Sequence, residues 1–466
     1  MKQKTTIFFI GIFLAIFNMN AQKMNFTPLG GEIKLGHKHS VCLTDEQRQE
    51  VKEMLWESVE QLKREGKLAF SETRARGAQV LFGWPVQKAE GVTYNDVWGI
   101  SGYVDHNAAY PNQLTDYNCG NRTYDTASGY NHQGVDIYTW PFGWKQMDNN
   151  QAEIIAAASG QIIAKGDGQY DRSCQFNSNP WNAVYVMHSD GSIAWYGHMK
   201  SGSLTTKPVG SFVEQGEYLG IVGSSGNSTG PHLHFEVYED STYTQLLDPY
   251  AGNCNNLNEN SLWESQKPYI NPNVNAALTH SAPPVFPTCP QTEISHEANE
   301  FAVGQMIYFA VFLRDQVAGT ILNLKIIRPD NSIFENWNSS LQQNYNSSYW
   351  YWSNNTFTIE GNWKWEVTYQ GQTVSHTFHV GTLHVDDLDK NTIKVYPNPF
   401  NDIVHIESDV LIKKVKVFDI LGKNINTIED AHNGIKSINL ESLSDGVYFL
   451  QVKEDSGIKQ TFKIVK

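Results

Sequence analysis

The run Ser224-Ser225-Gly226-Asn227-Ser228-Thr229-Gly230-Pro231, continuing as His232-Leu233-His234-Phe235-Glu236, constrains this chain more than any other stretch. A turn of glycine and small polar residues opens onto alternating polar and apolar side chains, which is the period of a strand and not of a helix. In such a strand His232 and His234 share one face while Leu233 and Phe235 share the other. The apolar pair demands a core beneath the strand, and the imidazole pair arms the opposite face. Upstream, Asn131-His132-Gln133-Gly134-Val135-Asp136 puts His132 and Asp136 on one face of an extended chain, with only Gly134 between them. Imidazole nitrogen and carboxylate oxygen both suit zinc, and a catalytic site combines three such ligands with one position left for water.

From Gly83 to about Pro272 the same logic recurs. Short apolar segments such as Gln161 to Lys165 and Ala183 to His188 are separated by Gly, Asn, Asp and Pro, and the small-residue run Ala156 to Gly160 leads into the first of them. That pattern predicts a mainly β region. Trp195-Tyr196-Gly197-His198-Met199 lies between the two histidine motifs. Together with Gly83-Trp84-Pro85-Val86, Gly160-Gln161-Ile162, Val213-Glu214-Gln215-Gly216 and Gly220-Ile221-Val222-Gly223, the ordered set resembles the lysostaphin-like and LytM-like zinc endopeptidases. Those enzymes cut peptide cross-bridges in bacterial cell walls and sometimes glycine-rich proteins.

The resemblance covers roughly Phe82 to Pro272 and implies an antiparallel-sheet peptidase domain over residues 81–275. It also implies one catalytic zinc held by His132, Asp136 and His234, with His198 and His232 as the catalytic histidines beside it. Either histidine can take a proton from water and pass one to a leaving amine. Tyr130 is a candidate donor to the oxyanion, and His106 and His188 read as surface or structural. The implied substrate is a peptidoglycan peptide or a glycine-rich protein. The alternatives are an elastin-type extracellular protease and a catalytically silent wall-binding or scaffold module. Silent relatives usually lack one or more ligands, and all five positions are filled here.

At the N-terminus, Lys2 and Lys4, an apolar run from Ile7 to Phe17 and Ala21 have the form of a secretory signal peptide over residues 1–21. The run is too short to span a bilayer, which takes roughly 20 apolar residues. No later segment reaches that length, so the mature chain is expected to have no transmembrane segment and to be soluble outside the cytoplasm. Residues 22–80 read as a helical N-terminal or pro-segment. A helix is predicted from about Asp45 to Glu65, with Thr44 and Gln47 spaced as a capping box, Gly66 as a stop, and Val51, Met54, Leu55, Val59 and Leu62 as one apolar stripe.

Beyond Pro283, Pro284, Pro287 and Pro290, which mark a linker, strands are predicted at Met306 to Leu313, Ile321 to Ile327 and Trp363 to Tyr369. They suggest an immunoglobulin-like β-sandwich over residues 283–385. Two aromatic clusters, Trp140-Pro141-Phe142-Gly143-Trp144 and Trp350-Tyr351-Trp352, are readable as ligand-gripping or as packing. After the acidic break Asp386-Asp387-Leu388-Asp389, the motifs Val395-Tyr396-Pro397-Asn398-Pro399-Phe400 and Asp445 to Val452 precede a basic end at Lys459, Lys463 and Lys466. This unit, residues 391–466, resembles the C-terminal β-sandwich sorting domain of type IX secretion substrates. It implies export through the periplasm to the cell surface or medium by the type IX machinery.

A net charge of -14 argues against nucleic acid as a partner, because nonspecific binding there rests on Lys and Arg neutralising phosphates. The five cysteines, Cys42, Cys119, Cys174, Cys254 and Cys289, show no Cys-x-x-Cys pattern and fit an oxidising compartment. An odd count leaves at least one unpaired within the chain, and Cys119 with Cys174 is the expected pair.

Overall fold

The computed structural model describes residues 26–34, 41–70, 79–175, 177–381, 393–408, 410–420, 422–430, 434–454 and 459–466. The expected signal peptide and the acidic break lie outside these residues. The chain divides into two compact units, one up to residue 382 and one from residue 383. Strands dominate the regular structure of both, and nearly all of them pair antiparallel.

The first unit opens with strand β1 (Leu29–Glu32) and helix α1 (Asp45–Arg64). The capping box forms as the sequence predicts: the Thr44 hydroxyl accepts from the Gln47 amide, and the Gln47 side chain accepts from the Thr44 amide. Of the apolar stripe, Leu55, Val59 and Leu62 are buried, and Arg48 is buried with them.

There follow β2 (Val86–Lys88), β3 (Trp98–Gly102), β4 (Val135–Thr139), α2 (Gly143–Asp148), β5 (Ala152–Ile155) and β6 (Gly160–Gly166). Next come β7 (Ala183–Met187), β8 (Ile193–Gly197), β9 (Phe212–Val213), β10 (Tyr218–Ile221), β11 (His232–Tyr238) and β12 (Leu246–Leu247). One large sheet runs β3-β4-β11-β8-β7-β6-β9, with β12 added to β11, and a small sheet runs β10-β5-β2. Strand β11 lies near the middle of the large sheet and sorts its side chains as alternation dictates. Leu233, Phe235 and Val237 enter the main core, where Phe235 packs on Phe82, Tyr196 and Trp263. His232, His234, Glu236 and Tyr238 face the other way, and Tyr238 shares a second core with Leu55, Val59 and Leu62. Helix α1 therefore covers the histidine-bearing face of this sheet.

The remaining strands of this unit are β13 (Asn273–His280), β14 (Glu300–Phe301), β15 (Ile307–Gln316), β16 (Ile321–Ile327), β17 (Ile333–Ser340), β18 (Tyr345–Asn354), β19 (Gly361–Tyr369) and β20 (Gln372–Val380). They form two sheets, β1-β18-β15-β13 and β14-β20-β19-β16-β17. Trp363, Trp365, Val367 and Tyr369 fill the space between the sheets, while Lys364 and Thr368 on the opposite face of β19 lie nearer solvent. Trp352 belongs to the same core, and Trp350 donates to Gln316 Oε1 at 2.7 Å, so this aromatic cluster is packing. The other cluster is interior as well. Phe142 stacks on Phe286 at 5.1 Å and meets Phe312 edge-on, while Trp140 stacks on Phe286.

Two findings differ from the sequence expectation. The disulfides are Cys119–Cys254 and Cys174–Cys289, with Cα atoms 5.1 and 5.6 Å apart, and not Cys119–Cys174. Pairing follows spatial neighbours across 135 and 115 residues of sequence, which nearness along the chain does not report. The proline-rich segment is likewise no free linker: Phe286 is packed against Phe142, and Cys289 is tied to Cys174.

The second unit contains β21 (Lys394–Tyr396), β22 (Ile403–Glu407), β23 (Ile412–Phe418), β24 (Asn424–Glu429), β25 (Ser437–Asn439), β26 (Val447–Glu454) and β27 (Lys459–Val465). Its sheets, β21-β22-β25 and β24-β23-β26-β27, enclose a separate core that includes Phe400, Val404, Val415, Leu450 and Ile464.

Candidate functional site

Strand pairing brings the two histidine motifs together. In the β4–β11 ladder His234 stands opposite Asp136 and His232 opposite Tyr138, while on its other side β11 sets His234 opposite Gly197 of β8. His132 enters just before β4. His198 follows β8 in a left-handed turn with φ near 60°, a conformation that non-glycine residues adopt at a cost. Gly134 has a definite task here. A Cβ at this position would sit 2.6 Å from Cε1 of His234 and 2.8 Å from the carbonyl oxygen of Phe235, so only glycine lets the motifs close on each other.

His132 Nε2 and His234 Nδ1 are 3.3 Å apart, and they lie 3.2 and 2.9 Å from Asp136 Oδ1. A tetrahedral ion with bonds of about 2.0–2.1 Å spaces its ligands about 3.3–3.4 Å apart, so the donor set fits a zinc-sized ion. The outer ring nitrogens are also held. His132 Nδ1 lies 2.7 Å from the carbonyl oxygen of Tyr103, which can only accept, and His234 Nε2 lies 3.0 Å from Glu236 Oε2. Each outer nitrogen is thereby fixed as a donor, and the inner nitrogen of each ring, turned toward Asp136, is the one a metal would take in exchange for its proton.

The other two histidines stand alongside, their ring centres 4.4 Å apart. His198 Nδ1 donates to the Ser225 carbonyl at 2.6 Å, and His232 Nδ1 donates to the Gly230 carbonyl at 2.8 Å. Both leave Nε2 for the site, and His198 Nε2 is buried without a hydrogen-bond partner among the described residues. Thus the structure brings together all five residues singled out from the sequence. His106 and His188 are not part of the cluster and are structural, not surface. His106 is buried against Asp248 at 2.8 Å, and His188 bonds the Ser159 carbonyl.

Four further residues complete the site. Cys42 Sγ lies among the donor atoms of His132, Asp136 and His234, all within 4.8 Å of one another, and the same limit holds for Cys42 with His198 and His232. The Tyr124 hydroxyl is 2.9 Å from Cys42 Sγ and 3.4 Å from Asp136 Oδ2, and its ring stacks on His132 at 4.2 Å. Tyr124 is thus the tyrosine whose hydroxyl reaches these donor atoms, and the buried hydroxyl of Tyr130 has no hydrogen-bond partner among the described residues. Glu236 holds His234 and is itself ion-paired to Arg48 of α1. The sequence carries a signal for Glu236, two positions after His234 on the same strand face. It carries another for Arg48, a charged residue on the buried stripe of a helix.

Burial opposes charge throughout this cluster, and the electrostatics oppose burial. Asp136 holds His132 up at about 9 and keeps His232 above the ordinary imidazole range, while His132 and His232 draw the Asp136 carboxyl well below the carboxylate range. His198 is lowered by burial and by His232. Burial and Asp136 would raise the Cys42 thiol, but the surrounding imidazoles of His234, His132 and His198 bring it well below its usual value. An anionic carboxylate and a readily ionised thiol among imidazoles make a cation site, at which metal binding displaces protons.

Residues 130–249 match Peptidase family M23, and residues 394–466 match the Secretion system C-terminal sorting domain. The peptidoglycan DD-endopeptidase ShyC of Vibrio cholerae is 37% identical over 84 residues, 18% of each chain. Lysostaphin of Staphylococcus simulans is 30% identical over 110 residues, 23% of this chain and 18% of that protein. The chain thus spans about a fifth of the length of these curated relatives. Among solved structures, the catalytic domain of Staphylococcus simulans lysostaphin is 27% identical with a TM-score of 0.21, covering 27% of this chain and 83% of that one.

Proposed function

We propose, on the premise that this chain carries a peptidase family M23 domain joined to a secretion-system sorting domain, that it is a secreted zinc-dependent endopeptidase. Its substrates are peptide bonds in peptidoglycan cross-bridges or in glycine-rich proteins. The observation that carries this reading is the convergence of His132 Nε2, Asp136 Oδ1 and His234 Nδ1, each with its outer atoms already satisfied. Zinc held there supplies Lewis acidity toward a scissile carbonyl and a water molecule. His232 and His198 supply the proton traffic. With Nδ1 of each fixed on a backbone carbonyl, Nε2 is the atom that accepts a proton from water and returns one to the leaving amine. Asp136, 3.7 Å from His232 Nε2, favours the protonated ring.

Relatives bearing the names peptidoglycan DD-endopeptidase and lysostaphin favour the bacterial wall as substrate. The sorting domain marks the protein for the cell surface or the medium, and we read the route as passage through the periplasm and then the type IX machinery. Metal analysis of His132→Ala, Asp136→Ala and His234→Ala tests the site, with zinc content expected to fall in each. Digestion of purified peptidoglycan and of elastin in parallel, followed by mass spectrometry, identifies the bond cut. Unchanged zinc in all three variants would overturn the ligand assignment. Intact substrates after removal of the N-terminal segment would overturn the activity.

A further inference from the structure

We propose that Cys42 is a fourth ligand of the metal and that the segment carrying it is a built-in inhibitor, an inference that rests on the zinc reading above. The other four cysteines are consumed in the two disulfides, whereas Cys42 is a free, buried thiol. Its Sγ stands with His132, Asp136 and His234 in one group of donor atoms. Sulfur, two nitrogens and one oxygen make a closed tetrahedral set. Closed four-coordinate zinc sites are structural, and catalytic ones keep the fourth position for water or substrate. With Cys42 in that position the site holds its ion but cannot turn over.

The segment is built to keep the thiol in place. Upstream, β1 is hydrogen-bonded along β18, with Leu29 opposite Tyr351 and Glu32 opposite Ser348. Downstream, Gln47 closes the α1 capping box and also meets Asn227 and the Asn179 carbonyl, which docks the helix start on the turn that precedes His232. Leu55, Val59 and Leu62 bury the helix against Ile163, Tyr185 and Trp195, and Ser58 is hydrogen-bonded to the Ile163 carbonyl. Glu236 connects the two halves, with one oxygen on the ligand His234 and the other on Arg48 of the inhibitor. Such tethering presents the thiolate at a high effective concentration, so a substrate carbonyl entering from solution competes poorly until the segment is displaced.

Cobalt(II) exchanged into the full-length protein reports the sulfur directly. A cobalt-bound thiolate gives a near-ultraviolet charge-transfer band that nitrogen and oxygen ligands do not. The wild-type protein is expected to show the band, and Cys42→Ser is expected to bind cobalt without it. Zinc-loaded Cys42→Ser is expected to cleave substrate roughly 10- to 100-fold faster than the zinc-loaded wild type, as removing a dominant closed population predicts. Stoichiometric metal without the band in the wild-type protein would overturn this proposal and leave the zinc site standing. Failure of both chains to bind metal would remove the zinc reading and this proposal together. The wild-type spectrum decides even where the variant does not fold.

Discussion

The ion pair between Arg48 and Glu236 joins the helix to the histidine face, and Arg48→Met measures what it contributes. Both side chains are buried, with relative exposures of 8% and 0%, and Arg48 also donates to the Tyr238 hydroxyl at 2.9 Å. Burial works to raise the Glu236 pKa, but Arg48 and then His234 draw it from 4.5 down to about 2. A carboxyl so shifted stabilises the native state by about 3 kcal/mol at neutral pH. Removing one partner of a buried pair costs about 3–5 kcal/mol, because the other charge is left uncompensated, and this sets the scale for Arg48→Met. The folded value is the lower one. The stabilisation is therefore fully present above about pH 4.5 and is lost as pH falls toward about 2.

Hydrogen exchange resolved to the α1 and β11 amides isolates this helix from the other cores, and chelation beforehand removes any contribution from a metal. At neutral pH, Arg48→Met is expected to speed α1 exchange roughly 150-fold, the equivalent of about 3 kcal/mol. The double variant Arg48→Met, Glu236→Gln is expected to recover part of the loss, since the glutamine still accepts from His234 Nε2 and no charge is stranded. Protection within about 0.5 kcal/mol of the parent, or strict additivity in the double variant, would refute the argument.

Three more outcomes follow from the geometry. Gly134→Ala is expected to keep the fold but weaken metal affinity about 10- to 100-fold by displacing His234, as a chelator competition titration would read. His198→Ala and His232→Ala are expected to retain the metal and lose roughly 10²- to 10⁴-fold in turnover on an enzyme freed of its N-terminal segment, and near-normal turnover in both would remove them from the chemistry. Deleting residues 393–466, which have a core of their own, is expected to leave the peptidase folded but to strand it in the periplasm of its native host. Fractionation with an activity assay on each compartment checks this, and truncated enzyme in the medium at normal levels would disprove the export role.

What the sequence displays is the face on which a side chain lies, and what it conceals is the partner across the gap. Alternation along His232 to Glu236 is a local property, so the split between the imidazole face and the core face of β11 was readable, as was the pairing of His132 with Asp136 around Gly134. The capping box and stripe of α1 are local in the same sense. The ion pair of Arg48 with Glu236 spans 188 residues, and the disulfides span 135 and 115, distances over which no periodicity carries information. The contact of Tyr124 with His132 has the same character, because only the path of the loop decides which ring stacks on that imidazole. Trp140 and Phe142 turn inward because Phe286 and Phe312, distant in sequence, supply surfaces that bury them. Cys42 combines both kinds of information. The odd cysteine count says that a thiol remains, and the docking of α1 on the histidine face determines that this thiol lies beside His132, Asp136 and His234 and not in solvent.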